Sequence, residues 1–134
     1  MEAHSHLSNQ EFERQFATCS LDPSLFSHEA HLRLAWIHIK KYGLAKAEEN
    51  IQKQLQDFVA YVGAMDKYHV TITIMAIRAV DHFMKQSNTD NFQDFINESP
   101  QLKTDFKALV RSHYTNDIFT VAKARTEFVA PDIV

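Results

Sequence analysis

The chain has 134 residues, an apolar fraction of 45% and a net charge of −3 with its histidines neutral. That length fits one domain with a sizeable core, and the mild acidity, with no Lys/Arg run, excludes the basic surface of a nucleic-acid-binding protein. Two glycines and three prolines supply too few turns for an all-β sandwich or barrel, so composition points to one all-α domain over residues 1–134.

No apolar run approaches the roughly 20 residues needed to span a membrane. The start, Met1-Glu2-Ala3-His4-Ser5-His6, lacks the basic and apolar regions of a signal peptide. The single cysteine, Cys19, leaves no internal disulfide and fits a reducing compartment; it reads as a small buried residue rather than a reactive thiol. The expectation is a cytoplasmic protein without nucleic-acid or membrane partners. Residues 1–7 read as a flexible terminus, in which His4 and His6 are assigned no role.

Ser8-Asn9-Gln10-Glu11 is a capping box that opens a short helix running to about Cys19, with Phe12, Phe16 and Cys19 on one side. Asp22-Pro23-Ser24 breaks the chain. Ser27 then caps a second helix, from His28 to about Tyr42, which Gly43 stops. At roughly 100° per residue, Glu29, Arg33 and Lys40 gather on what reads as the solvent face. His28, His31, Leu32, Ala35, Ile39 and Tyr42 lie opposite, and Leu34, Trp36 and Ile37 widen the apolar surface, making this helix central.

The third helix runs from Leu44 to about Val62, with an apolar stripe of Ala47, Ile51, Leu55, Phe58 and Val62. Asp66 is placed as the cap of a fourth, from Lys67 or Tyr68 to about Gln86. Its β-branched run Val70-Thr71-Ile72-Thr73-Ile74 suits a strand, but the apolar continuation is too long for one. There Thr71, Arg78, His82 and Lys85 face outward, while His69, Thr73, Ala76, Val80 and Phe83 face inward. A short helix covers Asp90 to Glu98. Ser99-Pro100 starts a sixth helix that reaches Ser112 and buries Leu102, Phe106, Leu109 and Val110, with His113 extending the stripe. The last helix begins at Asn116 or Asp117 and runs through Arg125, and Phe128 and Val129 pack the tail. The sum is an all-α helical bundle of about four main helices with short extra ones.

Short connections make successive helices antiparallel neighbours. The starts of the second and fourth helices are therefore expected at one end of the bundle, where His28, His31 and His69 converge in a buried site. Two helix N-termini favour an anion, or a metal with an anionic ligand, and keep imidazoles in the neutral, metal-ligating form. Tyr68, Thr73, His113 and Tyr114 are the candidate ligand-binding neighbours. Three histidines with an open position suit a divalent metal, zinc or iron(II), with nickel and manganese also open. No Ser/His/Asp signature, glycine-rich phosphate loop or Cys-x-x-Cys pair is present, so no catalytic residue is assigned.

Three functions follow. The first is a metal- or small-ligand-binding protein, with metalloenzyme chemistry open to it. The second is a non-catalytic module holding an organic anion. The third is a protein–protein adaptor whose histidines are structural.

Phe26-Ser27-His28-x-x-His31-Leu32-Arg33-Leu34-Ala35-Trp36, followed by Lys67-Tyr68-His69-x-Thr71-x-Thr73, resembles a family of small bacterial all-helical proteins without established function. The family's stretches read F-[ST]-H-x-x-H-[LV]-R-L-A-W and K-Y-H-E-T-[IL]-T, and the ending Phe128-Val129-x-Pro131-Asp132 is also similar. The resemblance covers about residue 26 to the end. Val70 stands where the family has a glutamate, which weakens any role for a carboxylate there. What the resemblance implies is a bacterial cytosolic protein; it supplies no reaction.

Overall fold

Helix starts follow the side chains able to accept from the first free N–H groups. In the computed structural model, which describes residues 2–133, Ser8 accepts from Glu11 N–H at 3.1 Å and opens α1 (Asn9–Ala17). Ser27 accepts from Ala30 N–H at 3.2 Å and opens α2 (His28–Tyr42). Gly43, at φ +86°, ends it, and α3 (Leu44–Tyr61) follows at once. A 3-10 turn at Met65–Lys67 leads to α4 (Val70–Lys85), whose cap is His69 rather than Asp66. Asn91 caps α5 (Phe92–Glu98).

The single helix expected from Pro100 to Ser112 is two, α6 (Gln101–Thr104) and α7 (Phe106–Arg111), because Asp105 leaves helical backbone at φ −127°. The chain from Asp117 forms a turn, closed by Thr120 N–H on the Asp117 carbonyl at 3.1 Å, so α8 (Ala122–Thr126) begins later than expected. The fold is all-α, with no strand among the described residues, and no described helix is long and apolar enough to cross a membrane.

The chain divides into two units, one reaching to Tyr68 and one beginning at His69. In the first, α2 packs along α3, and α1 rests on both. Phe16, Phe26 and Phe58 form an aromatic cluster with ring centroids 4.8 to 5.4 Å apart. Every residue of α2 from Glu29 to Ile39 is buried except His31, which is half-buried. A helix buried round its circumference has no wet face. That overturns the expected polar face: Glu29 is 4% and Arg33 6% exposed. Tyr42, placed inside, is 41% exposed. Cys19 is half-buried and sits just past α1 at φ +57°, a left-handed position that glycine usually fills.

In the second unit, Met75 and Ala76 of α4 meet Phe106, Val110, Tyr114, Ile118 and Ala124 in one core. Thr71, expected outside, is fully buried. Its hydroxyl donates to the Glu127 carbonyl and accepts from Val129 N–H, each at 3.0 Å. Tyr114 Oη donates to the Val129 carbonyl at 2.7 Å, and Asp132 accepts from Thr115 N–H at 2.9 Å. Thr71 of α4 and Tyr114 thereby fasten the backbone at Glu127 and Val129, and Thr115 fastens Asp132.

Candidate functional site

The densest polar cluster of the first unit lies at the start of α2 and is completed by residues expected to be flexible. Ala3–His6 forms a 3-10 turn, in which His4 is 1% exposed. Its Nε2 lies 2.6 Å from Glu29 Oε2 and 3.7 Å from Glu2 Oε1. Glu2 also accepts from the Ser27 hydroxyl, so the residue that caps α2 is tied to the same cluster. A nitrogen of His4 and one carboxylate oxygen each from Glu2 and Glu29 lie within 4.8 Å of one another.

Arg33, one turn beyond Glu29, closes the other side. Its guanidinium donates to the carbonyls of His4 and Leu7, both at 2.7 Å, and to Asn9 Oδ1 at 2.9 Å. It also covers the Phe12 ring at 4.8 Å. Arg33 Nη1 is 3.3 Å from His4 Nδ1. A guanidinium only donates, so Nδ1 is the acceptor there and Nε2 carries the hydrogen given to Glu29. Burying Glu29 and Arg33 is tolerable because each has partners.

The sequence-derived histidines fare differently. His28 is exposed on the first turn of α2, not turned into the core. His31 keeps its inward position beside the Phe26 ring, centroids 5.6 Å apart. Its Nε2 is enclosed without a hydrogen-bond partner, and burial, reinforced by neighbouring His28, pushes its pKa down to about 4. His38, left out at the margin of the buried face, is fully buried, with neither ring nitrogen hydrogen-bonded. Burial lowers its pKa too.

His69 belongs to the second unit and stands before α4, not within its first turn. Its Nδ1 accepts from Ile72 N–H at 3.1 Å, and its Nε2 lies 3.2 Å from the Ile118 carbonyl. Both nitrogens are thus engaged within that unit, and burial lowers its pKa. Thr73 donates back to the His69 carbonyl at 2.7 Å, while the Tyr114 hydroxyl is spent on the tail. Tyr68 accepts from Gln56 Nε2 at 3.3 Å in the first unit. His113 lines a cavity of the second unit.

His4 is the residue that sequence reasoning missed. No periodicity or motif marks it, because its partners are 25 and 29 residues away. The pair it joins was visible only as an i,i+4 spacing, which is ordinarily a surface feature. Comparison of the chain with family models, with curated proteins and with solved structures found no match.

Proposed function

We propose that this protein binds a divalent metal ion in its first unit, through His4 Nε2 and the carboxylates of Glu29 and Glu2. The observation that carries the reading is the approach of those three donors to within 4.8 Å of one another, with His4 and Glu29 buried. His4 Nε2, Glu29 and Glu2 would hold the ion in place of the hydrogen now shared by His4 and Glu29, and the ion would supply Lewis-acid chemistry there. Holding an ion at Nε2 would place the ring hydrogen on Nδ1, so the Arg33 Nη1 contact with Nδ1 would be given up while Arg33 kept its bond to the His4 carbonyl. One imidazole and two carboxylates suit zinc, iron(II) or manganese. Three protein ligands leave a position for water or an anionic substrate. His28 and His31 are not ligands in this reading, because one and two residues from Glu29 along α2 their side chains leave the helix in other directions. His69 is not a ligand in this reading, since its ring is committed to capping α4 and to Ile118.

A second reading has its own support. Arg33 makes its bonds to the His4–Asn9 segment, as a purely structural clasp requires, and fits an adaptor with structural histidines. One experiment separates the two. Untagged protein is dialysed against zinc, then buffer, and its metal content and melting temperature are read with and without chelator. The metal reading expects about one ion per chain in the wild type, its loss in His4→Ala, and a chelator-dependent melt only in the wild type. Equal metal content in the two proteins, or a melt indifferent to chelator, leaves the clasp.

A further inference from the structure

The second unit contains a cavity of about 300 Å³ that lies outside the metal reading. Its walls are apolar: Met75, Ala79 and Phe83 along α4, Leu109 and Val110 of α7, and Pro131 of the tail. Its polar lining is Arg78, His82 and His113, with no acidic side chain among the lining residues. A volume of that size lies at the small end of ligand pockets, roughly 300–1,000 Å³.

Placement of the lining is set by contacts already described. Pro131 is held between the Val129 carbonyl bonded by Tyr114 and the Asp132 carboxylate bonded by Thr115 N–H. Ile133 N–H donates to the His113 carbonyl at 3.0 Å, which ties the tail to the end of α7. The Arg78 guanidinium packs over the Phe128 ring at 4.6 Å. Two neighbouring carboxylates have partners of their own: Asp132 accepts from Thr115 N–H, which lowers its pKa, and Asp81 pairs with Lys85 at 3.0 Å.

Apolar walls beside a polar lining that is exclusively basic select for one ligand chemistry. We propose that this cavity binds a small amphipathic monocarboxylate, its apolar body against Met75, Phe83 and Leu109 and its carboxylate toward Arg78, His82 and His113. Arg recognises a planar carboxylate through paired N–H donors. Neutral or cationic ligands with the same apolar body gain only the wall contacts, and a cation also meets Arg78.

Octanoate, 1-octanol and octylammonium are titrated into the wild-type full chain by calorimetry, with side-chain NMR shifts to locate binding. Octanoate is expected to bind at least about tenfold tighter than octylammonium, the size of one hydrogen bond to a charged group. Arg78→Gln should weaken octanoate about tenfold and leave octanol unchanged. Ala79→Leu, filling the cavity from α4, should remove octanoate and octanol alike; a matching circular-dichroism spectrum and melt confirm that it folds. Equal affinity for octanoate and octylammonium, an unchanged octanoate affinity in Arg78→Gln, or no octanoate binding at millimolar concentration overturns the proposal. His4→Ala, which tests the metal centre, leaves octanoate binding unaltered, so the two readings fail separately.

Discussion

Both units fasten a segment outside the long helices to the start of one of them, and they do it with different chemistry. The first pins residues 2–9 to α2 with charge: Arg33 holds backbone carbonyls and Asn9, and Glu29 holds His4. The second pins residues 127–129 chiefly with neutral groups, the Thr71 and Tyr114 hydroxyls on the tail backbone, with Arg78 over the Phe128 ring and the Asp132 carboxylate on Thr115 N–H as charged additions. A buried charge needs all of its partners at once, because any that is removed leaves another charge unpaired in a poor solvent. A neutral hydrogen bond fails singly and at lower cost. The first fastening should therefore respond sharply to mutation, and the second gradually.

Arg33→Ala is the hardest test of that contrast. It strands the His4 and Leu7 carbonyls and Asn9 Oδ1 and removes the positive charge that acts on buried Glu29, and should cost about 3–5 kcal/mol. Chemical denaturation measures the loss, and limited proteolysis should then cut the first nine residues. Adding Glu29→Gln to Arg33→Ala should recover part of the loss, since the buried carboxylate charge goes with the guanidinium that acted on it. A drop below about 1 kcal/mol in Arg33→Ala would make the first fastening no different from the second.

Acid comes next. His31 titrates near 6.5 when unfolded and near 4 when folded, so between those values the unfolded chain binds the extra proton. Stability is therefore full above about pH 6.5 and falls as the pH drops toward 4, by up to about 3 kcal/mol from this group. His38 and His69 are shifted in the same direction. Denaturation midpoints measured from pH 7 to 4 should show the slope, and His31→Phe should flatten most of it. An unchanged slope in that variant would mean that its enclosed Nε2 does not carry the effect.

Thr71→Val probes the neutral fastening. It removes one donor and one acceptor while keeping shape, and should cost about 1–2 kcal/mol with hydrogen exchange rising at Val129. A loss as large as that of Arg33→Ala would erase the distinction between the units.

The smallest expected effect compares the two helix caps. His69→Ala should lose about 1 kcal/mol and His69→Asn should restore most of it, because asparagine accepts from the same N–H groups. Ser27→Ala should cost a similar amount. If His69→Asn were as unstable as His69→Ala, the capping role given to Nδ1 would be wrong and the ring would be open to another partner.

Local chemistry was legible in the sequence. Ser8, Ser27, Gly43 and the core stripes of α3 and α4 declare themselves within a few residues, because capping and amphipathic spacing act at that range. So does the all-α class, through scarce turn residues and long apolar periodicity. The faces of α2 were not legible in this way. A helical wheel assumes that one side meets water, so it sent Glu29 and Arg33 outward and kept His28 in, and the structure reverses all three.

The position of His69 turned on two or three residues at the start of α4. In the first turn of a helix beginning at Lys67 or Tyr68 its ring would have projected from an apolar face; as the cap of a helix beginning at Val70 it turns back to Ile72 N–H. Which residue caps is decided by where the preceding 3-10 turn at Met65–Lys67 releases the chain, and no side-chain pattern records that. His4 lies furthest from sequence reasoning, since a short polar segment gains its place only from Glu29 and Arg33, more than twenty residues on. The sequence by itself determined which segments become helices and where most of them start and stop, since those forces act over a turn or two. Only the tertiary structure decided which polar side chains go inside, because burying a charge depends on partners that the chain brings together from a distance.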